Sequence, residues 1–463
     1  MDTQIDSLDH ITIITNNIES TMHFYIKIIG LSEDESRPPF KFNGAWLSVN
    51  NRAIVHIVEN NNHVYENQKP TLDHIAFRVL DIEKMKNNIF QRFGIEKVIN
   101  ASSWVTVLGG NIMPQEVVNA MAEAAPIFLD MVKLNDKAGD LIARITGAEA
   151  GLVVNGASAG QVLMVAACMT GNDEAKAAQL PNTKGMKTEI IIQRCHRNRY
   201  DGAFLLPGAK FNEIGKSSNT SEWEFENAIN ENTLCISYIY APFHKHPINL
   251  SRVIELAHKY NIPVIVDAAA EIPPSGNLKK FISEGADMVT FSGGKGIKGP
   301  QSSGILCGKK DLIDAAKLNS LNYHSHHANI GRPMKVCKEE IIGLMVALEL
   351  FEKTDHETQW KYWKEQSMKI LNSIKNIEGL QVCLEEYDHN RQGPQVVIYF
   401  NHNWRGPSQR VIRMKLLEGN PPIHIGYGGY KDEIWITPVT LQPGEEDAIA
   451  DRLRKALLSN TSK

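Results

Sequence analysis

The stretch FSGGKGIKGPQSSG, residues 291–304, places Lys295 and Lys298 among five glycines. The apolar run ADMVTF (286–291) leads into it and has the length and composition of a buried strand. Glycine loses more backbone freedom on folding than any other residue, so a loop rich in glycine needs a physical reason. We expect the small residues to let the strand end turn sharply and to leave space beside Lys295 for a flat ligand. An ordinary exposed loop lysine is the alternative.

Overall composition indicates a soluble, multidomain globular protein. The chain has 463 residues, of which 43% are hydrophobic and 22% charged, and its formal net charge is -4. These values predict two to four domains with sizeable cores. The sequence contains no long basic run, no apolar stretch that could span a bilayer and no evident signal peptide, so we expect neither a nucleic-acid nor a membrane partner. Six scattered cysteines without a C-x-x-C pair predict reduced thiols in the cytoplasm.

From about residue 98 onward, short apolar runs alternate with helical patterns. Examples are AGLVVNG (150–156), TEIIIQ (188–193), TLCISYIYA (233–241) and PVIVDAAA (263–270). Continuous apolar runs fit strands buried on both faces, and the alternation predicts an α/β domain with a mostly parallel sheet. Near the C terminus, QVVIYFN, HIGYGGY and EIWITPV alternate more openly and predict a small α+β domain. We therefore expect a large domain over 98–335, with part of 98–130 assignable to the small domain, and a small domain over 336–463.

Three predicted strand ends carry chemically suitable groups, and ligands of open α/β sheets bind at the carboxyl ends of the strands. NGASAG (155–160) leads from a strand into a helix, whose first N–H groups can bind phosphate; an ordinary tight turn is the alternative. Asp267 ends an apolar strand and could hold a cationic ring nitrogen or merely cap a helix. Lys295 follows the next strand, and an amine removed from water becomes a nucleophile. The combination suits a pyridoxal phosphate site.

Residues 101–463 resemble fold-type-I pyridoxal-phosphate enzymes. More narrowly, they resemble the branch that contains bacterial selenocysteine synthase and D-glucosaminate-6-phosphate ammonia-lyase. The motifs that carry the resemblance are NGASAG, QRCHRNRYDGA, VDAAAEIPP, FSGGKGIKGPQSSGIL, IGRPMKVCKEEIIGL and the tail NPPIHIGY with ITPVTLQPGEE. The resemblance implies that Lys295 forms the internal aldimine and that Asp267 pairs with the pyridine nitrogen. It also implies an active site formed between two protomers, hence a homodimer or a higher homo-oligomer.

The same resemblance implies roles for further residues. His196 would stack on the cofactor ring, and a histidine of the hydrophobic core is the alternative. Arg332 would anchor a substrate carboxylate or phosphate, since its planar fork suits bidentate anions; a local pair with Glu339 or Glu340 is the alternative. We expect His244 and His246 to line the site entrance. The residues that would hold the cofactor phosphate are Gly156, Ala157, Ser158 and Ser292.

These residues predict an enzyme that acts on an amino acid or amino sugar acid. The freed amine of Lys295 would lie near the substrate Cα and act as a general base. The sequence resemblance favours α,β-elimination of the ammonia-lyase type. An aminotransferase or a β-replacement transferase is the second reading, racemisation stays open, and a non-catalytic ligand sensor is a third reading. The presence of both Asp267 and Lys295 argues against the sensor.

Residues 1–97 contain an internal repeat, because LDHITI (8–13) recurs as LDHIAF (72–77). These pieces and AIVHIVE (53–59) resemble the vicinal-oxygen-chelate superfamily of glyoxalase and bleomycin-resistance proteins. The resemblance implies a βαβββ-type module with a divalent metal at His10, His56 and His74. The second copy lacks its last strands, so the module is incomplete. We expect it to serve oligomerisation or packing against the large domain.

Overall fold

The computed structural model describes residues 10–49, 52–60, 90, 93–241, 244–320, 328–386, 392–428 and 432–459. The chain divides into two compact units, Met1–Glu96 and Lys97–Lys463. The second copy of the repeat, which includes His74, lies mostly outside the described residues. Within the described ranges, no helix is both long and apolar enough to cross a membrane.

The N-terminal unit contains a four-stranded sheet in the order β1-β4-β3-β2. Strand β1 runs parallel to β4, while β3 is antiparallel to β4 and to β2. Leu31, Leu47, Val55 and Ile57 form its small core. The order of elements agrees with the predicted βαβββ pattern, whereas the resemblance to the vicinal-oxygen-chelate superfamily stays a prediction. The elements are β1 (Ile11–Thr15), α1 (Ile18–His23), β2 (Ser32–Glu33), β3 (Gly44–Val49) and β4 (Arg52–Glu59).

A seven-stranded sheet forms the centre of the second unit, in the order β6-β12-β11-β10-β9-β7-β8. All neighbouring strands are parallel except β12, which is antiparallel to both β11 and β6. The predicted α/β class with a mostly parallel sheet is therefore confirmed. The strands are β6 (Ala150–Val154), β7 (Glu189–Gln193), β8 (Lys210–Ile214), β9 (Thr233–Ile239), β10 (Val264–Asp267), β11 (Met288–Ser292) and β12 (Gly304–Gly308).

Helices cover this sheet and bury apolar residues against it. Ile341 and Leu344, which lie on the last of these helices, belong to the same core as Val264 and Val289 of the sheet. The helices of this part are α2 (Gln115–Ala124), α3 (Met131–Thr146), α4 (Gly156–Thr170), α5 (Glu174–Gln179), α6 (Gly202–Leu205), α7 (Glu222–Ala228), α8 (Leu250–His258), α9 (Asn277–Ser283), α10 (Lys310–Ser320) and α11 (Lys338–Lys353).

A five-stranded sheet, ordered β13-β14-β16-β15-β5, closes the chain. The strand of this sheet that comes first along the chain is β5. It pairs in parallel with β15, which lies near the C-terminal end of the chain. Part of 98–130 thus joins the C-terminal sheet; the proposed domain boundaries themselves stay predictions. The elements are β5 (Ile99–Ala101), α12 (His356–Ile374), β13 (Leu380–Glu385), β14 (Gln395–Phe400), α13 (Gln409–Leu417), β15 (Ile423–Gly428), β16 (Glu433–Ile436) and α14 (Glu445–Leu458).

Candidate active site

The carboxyl ends of β10 and β11 place Asp267 and Lys295 at the same edge of the large sheet. Asp267 is the last residue of β10, and Lys295 follows the end of β11 by three residues. The two strands are adjacent and parallel, with Asp267 opposite Thr290. Parallel neighbours end at one edge, which is where α/β sheets bind ligands. The structure therefore brings together the two residues on which the sequence prediction depends.

Lys295 carries an amine that is half-buried and electrostatically coupled to two carboxyl groups. Burial lowers the pKa of this amine, while the charges of Asp267 and Glu271 act in the opposite direction. Removal from water disfavours the charged form of a lysine, so a larger share of the amine is neutral and nucleophilic. An exposed loop lysine, the alternative reading, does not fit this environment.

Asp267 is a buried carboxyl group held at both oxygens. It is 6% exposed. Its Oδ2 accepts a hydrogen bond from Gln161 Nε2 (2.6 Å), and its Oδ1 accepts from the backbone N–H of Ala269 (3.0 Å). Burial raises the pKa of Asp267, and these hydrogen bonds and the charge of Lys295 oppose the rise. A fixed, buried carboxylate is suited to pair with a cationic ring nitrogen. The helix-cap alternative is wrong, because the next helix, α9, begins only at Asn277.

The start of α4 lies at the same edge, next to the end of β11 and the start of β12. Gly156 has φ +70°, a conformation that favours glycine, and begins the helix. The side chain of Asn155 donates to the carbonyl oxygen of Lys335 (3.2 Å) rather than capping the helix. Ser292 pairs with Gly304, and a Cβ at Gly304 would lie 2.6 Å from the carbonyl carbon of Gly156. The four residues predicted to hold the phosphate are thus grouped at this edge, with Ala157 buried and Ser158 exposed.

Two of the glycines around Lys295 pack closely against other segments of the backbone. A Cβ at Gly296 would collide with the backbone of Ile272, whose carbonyl carbon would be 2.7 Å away. A Cβ at Gly294 would lie 2.8 Å from the carbonyl carbon of Gln301. Close packing against the chain's own backbone therefore requires these two glycines. The positive φ of the loop occurs instead at Lys298, at +60°.

His196 ends the turn after β7 and is fully buried, at 0% exposure. Its Nδ1 accepts from the backbone N–H of Ile239 (3.4 Å), and its Nε2 lies 3.2 Å from the carbonyl oxygen of Lys245 and from Nδ1 of His246. Burial, followed by the charges of His246 and His244, lowers the pKa of His196 to about 3. The imidazole is therefore neutral near pH 7. Full burial agrees with the core-histidine alternative, and stacking on a cofactor stays a prediction.

His244 and His246 lie around His196. Nδ1 of His244 donates to the carbonyl oxygen of Cys195 (2.7 Å), and burial lowers the pKa of His244 while the charge of Asp267 opposes this. His246 stacks on Tyr240 with ring centroids 4.8 Å apart, and burial lowers its pKa to about 4. Ile239, whose N–H donates to His196, lies opposite Asp267 in the sheet, so this cluster lies beside the candidate site.

Glu271 is a buried carboxyl group that the sequence interpretation gave no role. It is 3% exposed, and its Oε1 has no hydrogen-bond partner among the described residues. Burial raises the pKa of Glu271 to about 8. The charges of Lys280 and Lys295 oppose this rise, and the charge of Asp267 adds to it. Glu271 is therefore mostly protonated at neutral pH. Its place in VDAAAE, four residues after Asp267, is the only signal of it in the sequence.

Arg332 begins a short 3-10 turn and is exposed. Within the described ranges its guanidinium forms no ion pair. The two acids considered as local partners of Arg332 bind other groups. Glu339 forms an ion pair with Lys338. Glu340 accepts hydrogen bonds from the Ser302 hydroxyl and from the Cys337 N–H. The local-pair alternative is thus not realised in the described structure. The role in anion binding stays a prediction.

The predicted metal ligands are only partly described. The rings of His10 and His56 stack with centroids 4.1 Å apart, and His56 also stacks on Trp46 at 4.1 Å. His74 lies outside the described residues. No group of three or more His, Cys, Asp or Glu residues suited to a metal occurs in the part of the chain that the structure describes. All six cysteines are free.

Comparison with known proteins finds one matching family and several similar proteins. The family described as SelA, L-seryl-tRNA selenium transferase, matches residues 98–361. The chain is 32% identical over 378 residues to D-glucosaminate-6-phosphate ammonia lyase of Salmonella typhimurium, across 80% of this chain and 98% of that protein. It is 29% identical over 380 residues to 5'-C-glycyluridine monooxygenase-decarboxylase of a Streptomyces species, across 80% and 92%. A solved structure of D-glucosaminate-6-phosphate ammonia-lyase superimposes with a TM-score of 0.69 at 31% identity, covering 80% of this chain and 98% of that one.

Proposed function

Because the chain belongs to the SelA-like family of pyridoxal-phosphate enzymes, we propose that it is a lyase that performs α,β-elimination on an amino sugar acid or amino acid. The products would be ammonia and a 2-keto acid. The observation that carries the proposal is the half-buried amine of Lys295 coupled to the buried carboxyl group of Asp267 at one sheet edge. The family predicted from the sequence motifs is confirmed by the match over residues 98–361.

The residues present fit pyridoxal phosphate. The cofactor offers an aldehyde, a basic ring nitrogen and a phosphate. Lys295 supplies the amine for the aldehyde, and Asp267 supplies a buried acid for the ring nitrogen. Gly156 begins a helix whose first N–H groups receive no side-chain cap, and such groups bind phosphate. Ala157, Ser158 and Ser292 would complete that phosphate site.

Proton transfer at the substrate Cα is the step assigned to Lys295. When bound, pyridoxal phosphate supplies the electron sink for the charge that develops at that carbon. Burial of Lys295 favours its neutral amine, which can accept the Cα proton as a general base. Gln161 and Ala269 fix the two oxygens of Asp267, so this carboxylate keeps one orientation toward its partner.

Elimination also needs a proton donor, because a hydroxyl group at Cβ leaves as water. Glu271 meets the chemical requirement, since its pKa of about 8 keeps it protonated near neutral pH. The next residues along the chain, Gly296 and Ile272, pack backbone against backbone, which brings Lys295 and Glu271 into the same region. Glu271 would hold a proton for the leaving group while Lys295 removes the one at Cα.

The substrate class follows from a relative whose name states its substrate, D-glucosaminate 6-phosphate. That molecule carries an amine, an acid group and a phosphate. Arg332, exposed and outside any described ion pair, would bind one of the two anionic groups. His196 would serve the cofactor ring as a neutral imidazole.

The assembly and location belong to the same proposal. The enzyme would be a cytoplasmic homodimer or higher homo-oligomer, and its six free thiols suit a reducing compartment.

The N-terminal unit would be a vicinal-oxygen-chelate-like module used for oligomerisation or packing. Its candidate ligand is a divalent metal bound by His10, His56 and His74. Elemental analysis of wild type and His10→Ala tests the metal: equal metal contents would contradict it.

The reaction is tested with purified protein, pyridoxal phosphate and D-glucosaminate 6-phosphate, assayed for ammonia and 2-keto acid in equal amounts. Amino acids with a hydroxyl group at Cβ form the comparison set. The wild type should be yellow and active, and Lys295→Ala should be inactive. Accumulation of the cofactor in its amine form, with a keto acid but no free ammonia, would identify an aminotransferase and refute the lyase.

A further inference from the structure

The second lysine of the glycine-rich loop, Lys298, lines a cavity of about 190 Å³ that the proposed reaction does not use. Trp104 and Asn111 form one wall of this cavity, Gln359 of α12 another, and residues 439–443 a third. A neighbouring cavity of about 120 Å³ shares Lys298 and Gln359. None of the residues around either cavity is Lys295 or Asp267.

Lys298 places a positive charge in this cavity without a described counter-charge. The residues lining the two cavities include no Asp or Glu. Nor does the described part of the chain supply an ion pair or side-chain hydrogen bond for the Lys298 amine, and burial lowers its pKa. Its backbone has φ +60°, and its N–H donates to the carbonyl oxygen of Lys295 (2.9 Å). Charges withdrawn from water in proteins are normally paired, and the half-buried Lys298 has no such partner among the described residues.

Two further polar atoms at the cavity lack partners among the described residues. Trp104 is 5% exposed, and its indole Nε1 makes no hydrogen bond. Asn111 donates from Nδ2 to the carbonyl oxygen of Gly299 (2.9 Å), which leaves its Oδ1 without a donor. Buried polar groups are nearly always hydrogen-bonded in native proteins, so each such atom indicates a missing partner.

These groups have a shared chemical preference. A lysine ammonium and an indole N–H are both donors, and a group with several acceptor oxygens satisfies them together. The amide oxygen of Asn111 can accept from the ammonium or from a protonated oxygen of the ligand. The cavity is smaller than the pockets of about 300–1,000 Å³ that hold drug-sized ligands, so it suits an anionic group rather than a large molecule.

We propose that the cavity bounded by Trp104, Asn111, Lys298 and Gln359 binds a small oxyanion, namely a phosphate or carboxylate group. The site itself does not depend on the proposed reaction. Its ligand has two possible sources, a free anion or the distal anionic group of the enzyme's own substrate. The second source rests on the proposed function, and the experiment separates the two.

The test is isothermal titration calorimetry, in which the protein saturated with pyridoxal phosphate is titrated with inorganic phosphate and, separately, with acetate. At least one of the two should bind at one site per chain in the wild type. Lys298→Gln should weaken that binding by about tenfold or more, the value of one charge-assisted hydrogen bond. Trp104→Phe, which keeps the ring but removes the N–H, should weaken it by a smaller factor. Lys298→Arg should retain it, and Lys361→Gln, which removes an exposed lysine of α12, should bind like the wild type.

A repeat titration in the presence of D-glucosaminate 6-phosphate identifies the source. Loss of anion binding would place the substrate's own anionic group in this cavity, whereas unchanged binding would assign the site to a free anion. The proposal is overturned if neither phosphate nor acetate binds, or if binding survives Lys298→Gln unchanged. A protein that takes up no coloured cofactor but binds phosphate through Lys298 would refute the proposed reaction and leave this site standing.

Discussion

Replacing Glu271 with glutamine should remove a pH dependence of stability that the fold imposes on this carboxyl group. Burial raises the pKa of Glu271 from 4.5 to about 8, and the side chain is only 3% exposed. Between these two values, the folded chain holds a proton that the unfolded chain has released. The free energy of unfolding contributed by this group therefore falls as the pH rises, by about 1.4 kcal/mol per pH unit.

The size of the expected effect follows from that slope. From pH 5 to pH 7.5 the cost of keeping Glu271 folded should grow by about 3 kcal/mol. Glutamine cannot ionise and carries no such cost. The stability of Glu271→Gln relative to wild type should thus improve by about 3 kcal/mol over this interval.

Urea unfolding of the cofactor-free proteins at the two pH values measures the effect. Histidines that titrate in the same range contribute equally to wild type and variant, so they cancel in the difference. Glu365→Gln, which changes an exposed carboxyl group on α12, is the matched control and should show no comparable trend. A difference between Glu271→Gln and wild type that stays constant from pH 5 to pH 7.5 would refute the assignment of a buried, protonated Glu271.

Three other changes give defined outcomes. Gly296→Ala should destabilise the protein by about 1–3 kcal/mol, because its Cβ would collide with the backbone of Ile272. In the control Gly202→Ala the new Cβ meets no atom within 4 Å, so stability should change by less than about 1 kcal/mol. Equal losses of stability in urea unfolding of the two variants would contradict this. With its pKa lowered to about 3, neutral His196 stabilises the fold above about pH 6.5 and that stability is lost as the pH falls. His196→Phe should therefore lose less stability than the wild type when the pH is lowered from 7. Acid unfolding of both proteins at the same pH would contradict this prediction. Asp267→Asn should keep the cofactor on Lys295 but lower kcat by about tenfold to a hundredfold, the value of one charge-assisted hydrogen bond; an unchanged kcat would show that this acid does not act on the ring.

The framework of the fold could be predicted because its signals are local. Continuous apolar runs such as TLCISYIYA and PVIVDAAA correspond to β9 and β10, which are buried along their whole length. The step from Asp267 to Lys295 follows from two adjacent parallel strands joined by one helix, which is a local connection. These parts therefore needed no knowledge of distant contacts.

The missed features depend on contacts between distant segments. Gln161 reaches Asp267 from a helix that begins after β6, and the sequence contains no sign of that pairing. The pKa of Glu271 depends on how completely the surrounding chain excludes water. The need for glycine at 296 follows from the close approach of Ile272, which is visible only once the loop is folded. Nothing in a single sequence reports such distances.

His196 illustrates a residue type that sequence patterns cannot resolve. A histidine after a strand end can face a ligand or enter the core, and both outcomes have the same local sequence. The segment containing Lys245 and His246 returns to His196 and encloses it. This return, rather than any motif, determines its burial and its low pKa.

In the proposed function, Lys295 rather than the neighbouring Lys298 carries the cofactor. Both amines are partly buried with lowered pKa, but only Lys295 feels the charges of Asp267 and Glu271. The direct measurement is borohydride reduction of the yellow protein, followed by digestion and mass spectrometry of the peptide that contains residues 291–304. We expect one phosphopyridoxyl group per chain, attached to Lys295. A label on Lys298, or an unlabelled peptide from a fully reduced protein, would contradict it.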